Sequence, residues 1–162
     1  MRKKRILIKL LCLDQATLIT GYSIWEDSKL ITYGTLEVDP DEKNIIERMK
    51  LMSELIIELI EVEKPNFIVI EDTQLQNNTK TYQQLSQFQG VLMAYFFNID
   101  SGFVIVKPTE WKSKCGIKGR KREEQKINTQ LFVKNTYGFD CSEDIADAIG
   151  IGFWAINKIK GV

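Results

Sequence analysis

The sequence contains no histidine among its 162 residues. That excludes Ser-His-Asp and Cys-His catalysis and most catalytic zinc sites. Any acid–base or metal chemistry must fall to Asp, Glu, Lys, Tyr or Cys. Cysteine is scarce too: Cys12, Cys115 and Cys141 are odd in number and match no metal-binding spacing. Cys12 lies in an apolar run and suits a small core position. The set fits a reduced, cytoplasmic protein. No apolar run approaches the roughly 20 residues that span a bilayer, so no membrane partner is expected. The opening Met1-Arg2-Lys3-Lys4-Arg5 is basic, as signal peptides are. The stretch Ile6 to Leu13 is short, carries Lys9 and runs into Asp14 with no small-residue cleavage site. A first β-strand is the better reading.

What is present fits one globular domain over 1–162. The chain is 44% hydrophobic and 27% charged, ordinary values for a protein with a real core. Formal net charge is zero, with 22 basic and 22 acidic residues. It is unevenly spread. Residues 37–72 hold eleven acids against four bases, and residues 101–135 hold nine bases against three acids. Such asymmetry within a neutral total leaves room for an anionic partner.

Ile6 to Leu13 is apolar enough for a strand buried on both faces, with Lys9 near a sheet edge or reaching to water. Thr20 to Trp25 and Lys29 to Leu36 are β-rich runs joined by the polar turn Glu26-Asp27-Ser28, giving an antiparallel meander. Asp39-Pro40-Asp41-Glu42 predicts a helix start, with Asp39 as cap, Pro40 in the first position and Glu42 reaching back. An apolar stripe then runs from Ile45 to Ile60 and stops at Pro65. Phe67 to Ile70 predicts a fourth strand, parallel to the earlier sheet. A polar loop, a helix to about Phe97 and a fifth strand, Phe103 to Val106, follow. Lys107 to Arg122, with Gly116 and Gly119, predicts a short helical turn and a flexible loop. Glu123 to Asn135 predicts a helix, and Ser142 caps a last one to about Lys160. The expected fold class is α/β, a mixed five-stranded sheet flanked by helices.

Asp14 and Glu71 each end an apolar strand, at the edge where open α/β sheets bind ligands. Asp144 and Asp147 are three apart at the start of the last helix, hence on one face. Ala148, Ile151 and Ala155 continue that face, with Gly152 beside it, so the helix can lie close on the sheet. Taken singly, each acid has a plainer reading. Asp14 suits a turn, Glu71 an ordinary loop entry, and Asp144 the positive end of a helix dipole. Asp147, flanked by Ile145, Ala146, Ala148 and Ile149, is harder to dismiss. Placed together, four carboxylates repel unless a cation neutralises them. Oxygen-only ligands favour Mg²⁺, with Mn²⁺ as a substitute. Two such ions can activate water and stabilise a leaving oxygen in phosphodiester cleavage.

Leu13-Asp14-Gln15-Ala16-Thr17 followed by Thr20-Gly21-Tyr22-Ser23 resembles the first motif of RuvC-type Holliday junction resolvases. Ile70-Glu71-Asp72 resembles their second motif. Gln87-Phe88-Gln89-Gly90-Val91 is similar to the Gln-x-x-Gly segment of the helix after it, and Asp144-Ile145-Ala146-Asp147-Ala148 to their final Asp-x-x-Asp-Ala. The resemblance covers nearly the whole chain in order and is nearest to the phage-encoded members. It implies an RNase H-like fold, a homodimer, and paired Mg²⁺-dependent nicking of four-way junctions or other branched DNA. It assigns Asp14, Glu71, Asp144 and Asp147 as catalytic metal ligands, for two ions per site. Two departures stand out. Gln15-Ala16 replaces the usual Pro-Gly, and no aromatic residue occupies Asp72-Thr73-Gln74-Leu75.

Lys107, Lys112, Lys114, Lys118, Arg120, Lys121 and Arg122 crowd one stretch and make a candidate DNA-binding surface. Lys112 is the best positional match to the family's basic residues. Trp111 is expected to be a packing anchor. Gly90, in mid-helix, marks a possible close dimer contact. Two alternatives remain open: a related nuclease acting on flaps or RNA–DNA hybrids, and a non-catalytic module that holds branched DNA.

Overall fold

The computed structural model describes residues 7–159. The basic opening Met1–Arg5, Ile6 and Lys160 lie outside these residues. Five strands form one sheet: β1 (Lys9–Asp14), β2 (Ile19–Glu26), β3 (Lys29–Glu37), β4 (Phe67–Glu71) and β5 (Gly102–Val106). Their order across the sheet is β3-β2-β1-β4-β5. β1 to β3 form the expected antiparallel meander, and β4 and β5 join parallel to β1 and β4. The mixed sheet was legible because a helix separates β3 from β4, and a crossover of this kind returns the chain in parallel.

Helices α1 (Ile45–Glu63) and α2 (Thr79–Phe96) cover one face. Helices α3 (Pro108–Cys115), α4 (Arg122–Tyr137) and α5 (Glu143–Lys158) cover the other. The period of two along β1 sorts its side chains between them. Leu11 and Leu13 pack with Met52, Ile56, Phe88 and Leu92. Leu10 and Cys12 pack with Trp111, Ala146 and Ile149 on the opposite face. All three cysteines are free, and Cys12 is the buried core residue its neighbours predicted.

Three expectations need correction. β1 is the central strand, so Lys9 is not at a sheet edge. It sits half-buried at the strand's start, its Nζ 3.2 Å from Glu26 and 3.1 Å from Glu63. The first helix does not begin at Pro40. Its cap is Asn44, whose side chain accepts from the N–H groups of Ile46 and Glu47. Asp39 instead accepts from Asp41 N–H at 2.9 Å, and Glu42 accepts from Asn44 N–H at 2.7 Å. Two capping signals lay close together, and the first closes a turn of its own. Lys107 to Arg122 is not one turn and a loop. Pro108 to Cys115 is a full helix that ends on left-handed Gly116, anchored by buried Trp111.

α5 lies unusually close to the sheet. Ser23 Oγ donates to the Ala148 carbonyl at 2.7 Å, and Trp25 Nε1 donates to Ser23 Oγ at 2.9 Å. A Cβ on Gly21 would fall 2.0 Å from the Asp144 carbonyl oxygen, and one on Gly152 2.0 Å from Trp25 Nε1. The glycines of β2 and α5 therefore set the distance between helix and strand. Gly21→Ala is expected to cost about 1–3 kcal/mol or more, the usual scale of overpacking. Urea melts test this; wild-type stability in the variant would refute the close approach.

Candidate active site

Register and pleat together place the acids. β1 and β4 pair through Leu13↔Ile70, which brings the ends of both strands side by side. Asp14 continues the face of Leu10 and Cys12, and Glu71 that of Val69, so both side chains belong to the face covered by α3, α4 and α5. α5 begins above this point. Ser142 caps it, accepting from Ile145 N–H at 3.4 Å. The close approach at Gly21 holds its first turn over β2. Asp144 and Asp147 thereby enter the same cleft as Asp14 and Glu71. All four acids line one cleft of about 670 Å³, together with Lys112, Arg122, Lys126, Gln74, Gln76 and Gln125.

Their electrostatics are first those of buried carboxylates, and then of neighbouring charge. Burial, then the charges of Asp147, Glu71 and Asp144, hold the Asp14 carboxyl well above the usual carboxylate range; Lys112 opposes this. Burial and Glu71 push Asp147 up to about 7. Burial raises Glu71, while its bond to Trp111 and the charge of Lys112 pull it down. Burial and Glu143 raise Asp144, and Lys126 opposes. Among the described residues, no three acidic or cysteine side chains are gathered as a ready metal cage. The acids share a cleft and a field. The donor set still suits a hard cation: five carboxylates line the cleft, the four acids and Glu143, and no thiolate does.

Glu71 is held from two sides. Trp111 Nε1 donates to its Oε2. The side-chain amide of Gln15 donates to its main-chain carbonyl at 2.6 Å and accepts from its N–H at 3.2 Å. The short loop after Asp14 is closed by Thr20, whose Oγ1 accepts from Ala16 N–H at 3.1 Å and donates to the Ala16 carbonyl at 2.8 Å. Gln15-Ala16 thus makes an ordered turn without Pro-Gly. After β4, Gln89 latches the next loop: its Oε1 accepts from Thr73 N–H at 3.1 Å and its Nε2 donates to Asp72 Oδ1 at 3.3 Å.

The basic stretch divides. Lys112 and Arg122 line the cleft. Lys112 Nζ lies 5.4 Å over the Trp111 ring and donates to Gln125 Oε1 at 3.2 Å. Arg122 reaches Gln76 Oε1 at 3.4 Å across the cleft mouth. Lys118 lines a separate groove with Asn128 and Leu131, and Lys114 another beside Trp154 and Lys158. Lys107, Arg120 and Lys121 are exposed and do not line the cleft. Sequence reasoning missed Lys126, Gln15 and the polar role of Trp111. The helical spacing from Arg122 to Lys126, four residues, was the available signal for Lys126.

Sheet order and flanking helices define the class: an RNase H-like fold. The chain belongs to the family described as Lactococcus phage M3 protein, whose model matches residues 3–157. It is 29% identical over 155 residues to a crossover junction endodeoxyribonuclease RuvC of Dictyoglomus thermophilum, covering 91% of this chain and 96% of that protein. It is 27% identical over 163 residues to the protein of the same name from Caldicellulosiruptor saccharolyticus, covering 96% of each. The structure of Thermus thermophilus RuvC in complex with Holliday junction substrate matches with TM-score 0.70 at 13% identity, over 91% of this chain and 92% of that one. The yeast mitochondrial Holliday junction resolvase matches with TM-score 0.56 at 17% identity, over 91% and 78%.

The raised Asp147 has a consequence for stability. An unfolded Asp ionises near pH 4, the folded one at about 7. The folded state holds a proton that the unfolded state has lost, so stability falls as pH rises through this window. In chelator, Asp147→Asn should melt above wild type at pH 8. The gain should shrink as pH falls through 7 and vanish near 4. A pH-independent difference would contradict the coupling.

Proposed function

We propose that this protein is a Mg²⁺-dependent, structure-selective endonuclease that nicks four-way DNA junctions by phosphodiester hydrolysis. The observation that carries this reading is the convergence of Asp14, Glu71, Asp144 and Asp147 on one cleft that also holds Lys112, Arg122 and Lys126. The names of the curated relatives, crossover junction endodeoxyribonucleases, agree with it.

Asp14, Glu71, Asp144 and Asp147 would hold two Mg²⁺ ions, with Mn²⁺ as a substitute. Bound there, the ions would lower the pKa of a water and offset charge on the leaving oxygen. The residues themselves supply position and field. β1 and β4 present two acids from rigid strand ends, and α5 presents two from one helical face. Lys112, Arg122 and Lys126 accept the phosphate backbone at the cleft wall, giving salt-sensitive affinity without sequence readout. Lys107, Lys114, Lys118, Arg120 and Lys121 extend the positive field along the flanks. Gln74, Gln76 and Gln125 offer amide donors and acceptors to the strand lying in the cleft.

A two-fold dimer would give a four-way junction two matched sites. The outer face of α2 suits the contact: Gln83, Gln87, Gly90, Val91 and Ala94 are exposed, and nothing stands within 4 Å of a Cβ on Gly90. Its check is twice the chain mass in light scattering. The host cytoplasm is the expected place of action. Among the described residues, no helix is long and apolar enough to cross a membrane.

The deciding experiment is a cleavage panel of junction, fork, flap, RNA–DNA hybrid and duplex, with Mg²⁺ or Mn²⁺. The junction should be nicked with either ion. Asp14→Asn should bind it normally and cut it at least ~100-fold more slowly, as expected for loss of a metal ligand. Equal cutting by the variant would sink the assignment. Preferred cutting of flap or hybrid would redirect the substrate. Binding without any cleavage would mark a non-catalytic junction-holding module.

A further inference from the structure

Gln15 occupies an unusual place. It follows Asp14 directly, yet its side chain serves Glu71. The backbone ladder between β1 and β4 ends at Leu13↔Ile70. On its other side β4 continues: Glu71 pairs with Val106, and Asp72 N–H donates to the Val106 carbonyl at 2.8 Å. The C=O of Glu71 faces β1 and lies beyond the last rung of that ladder, while its N–H belongs to the Leu13↔Ile70 rung. The Gln15 amide satisfies that carbonyl, donating at 2.6 Å, and its oxygen also accepts from the Glu71 N–H at 3.2 Å. Only the amide side chains of Gln and Asn carry a donor and an acceptor in this arrangement. Gln15 thus stands in for one more peptide rung. It is buried, with 8% of its surface exposed, so water is a poor substitute for those bonds.

We infer that Gln15 is a positioning residue that locks the Glu71 backbone beside Asp14 and so tunes the affinity of the carboxylate site for a divalent cation. This rests on the reading of the four acids as cation ligands. Three features bear on it. Gln15 and Asp14 are adjacent, so any shift of the turn moves both acids together. The Glu71 carboxylate is separately fixed by Trp111, so with its backbone pinned the side chain has little freedom left. The turn that carries Gln15 is itself tied down by Thr20 at Ala16, which gives the amide a rigid base. Partners that orient metal ligands commonly change affinity as strongly as some ligands do. A side chain that merely sealed the sheet end would lower stability when lost, and leave the cation affinity of the folded protein untouched.

The test is Mn²⁺ binding to the full chain without DNA, followed by the paramagnetic signal of free Mn²⁺ or by calorimetry. Gln15→Met keeps the length and removes both bonds. Its dissociation constant should rise by about 10- to 100-fold over wild type, with a folded amide NMR spectrum. If Gln15→Met does not fold, Gln15→Asn keeps the amide but is one methylene too short to reach both groups, and the same weakening is expected. A folded variant that binds Mn²⁺ as wild type does overturns this inference and leaves the metal-site reading standing. Wild-type protein that binds no Mn²⁺ overturns both.

Discussion

Burial of four carboxylates in one cleft is the constraint that the surrounding structure has to meet. Acids held in one cleft would turn out to water if their supports could move. They cannot, because each support is fixed by packing that the acids do not share. Asp14 and Glu71 sit at the ends of the two central parallel strands. Asp144 and Asp147 ride a helix whose distance from β2 is set by Gly21, Gly152 and the Ser23 bond to Ala148. The core carries the cost of burying the carboxyls.

The zero net charge of the chain conceals a division. Many of the acids of residues 37–72 lie on α1, on one face of the sheet, while the bases of residues 101–135 lie on α3, α4 and the turn between them, on the other. In the proposed function, a polyanion would be repelled from the α1 side and drawn to the basic flanks of α3 and α4. The basic groups that enter the cleft are fewer than the sequence cluster. Lys112 and Arg122 arrive from either end of that cluster, and Lys126 joins them one helical turn beyond Arg122. Glu143, at the start of α5, meets Lys126 at 2.5 Å, so even this charge is balanced at the rim.

Much of this was legible beforehand. Strand positions followed from apolar runs bounded by turns, and the four acids from their placement at strand and helix ends. What escaped notice depended on three-dimensional neighbours. The true start of α1 was hidden because Asp39 and Asn44 carry equivalent capping chemistry, and only packing chooses between them. Glycine and charge dominate the α3 window and hide the helix from its sequence. Its hold on the core comes from one residue, Trp111, against Gly150. Gln15 looked like a defect in a motif. Its partner lies 56 residues away along the chain, and no local pattern announces such a bond. Spacing says where carboxylates stand; it does not say what keeps them there.

The proposed function turns on the four acids acting as one cation site. Anomalous diffraction from crystals soaked in Mn²⁺ addresses that most directly. It should show manganese in the cleft within about 2.0–2.3 Å of carboxylate oxygens from Asp14, Glu71, Asp144 and Asp147. Saturating Mn²⁺ with no peak in the cleft, or manganese bound by other residues alone, would contradict it.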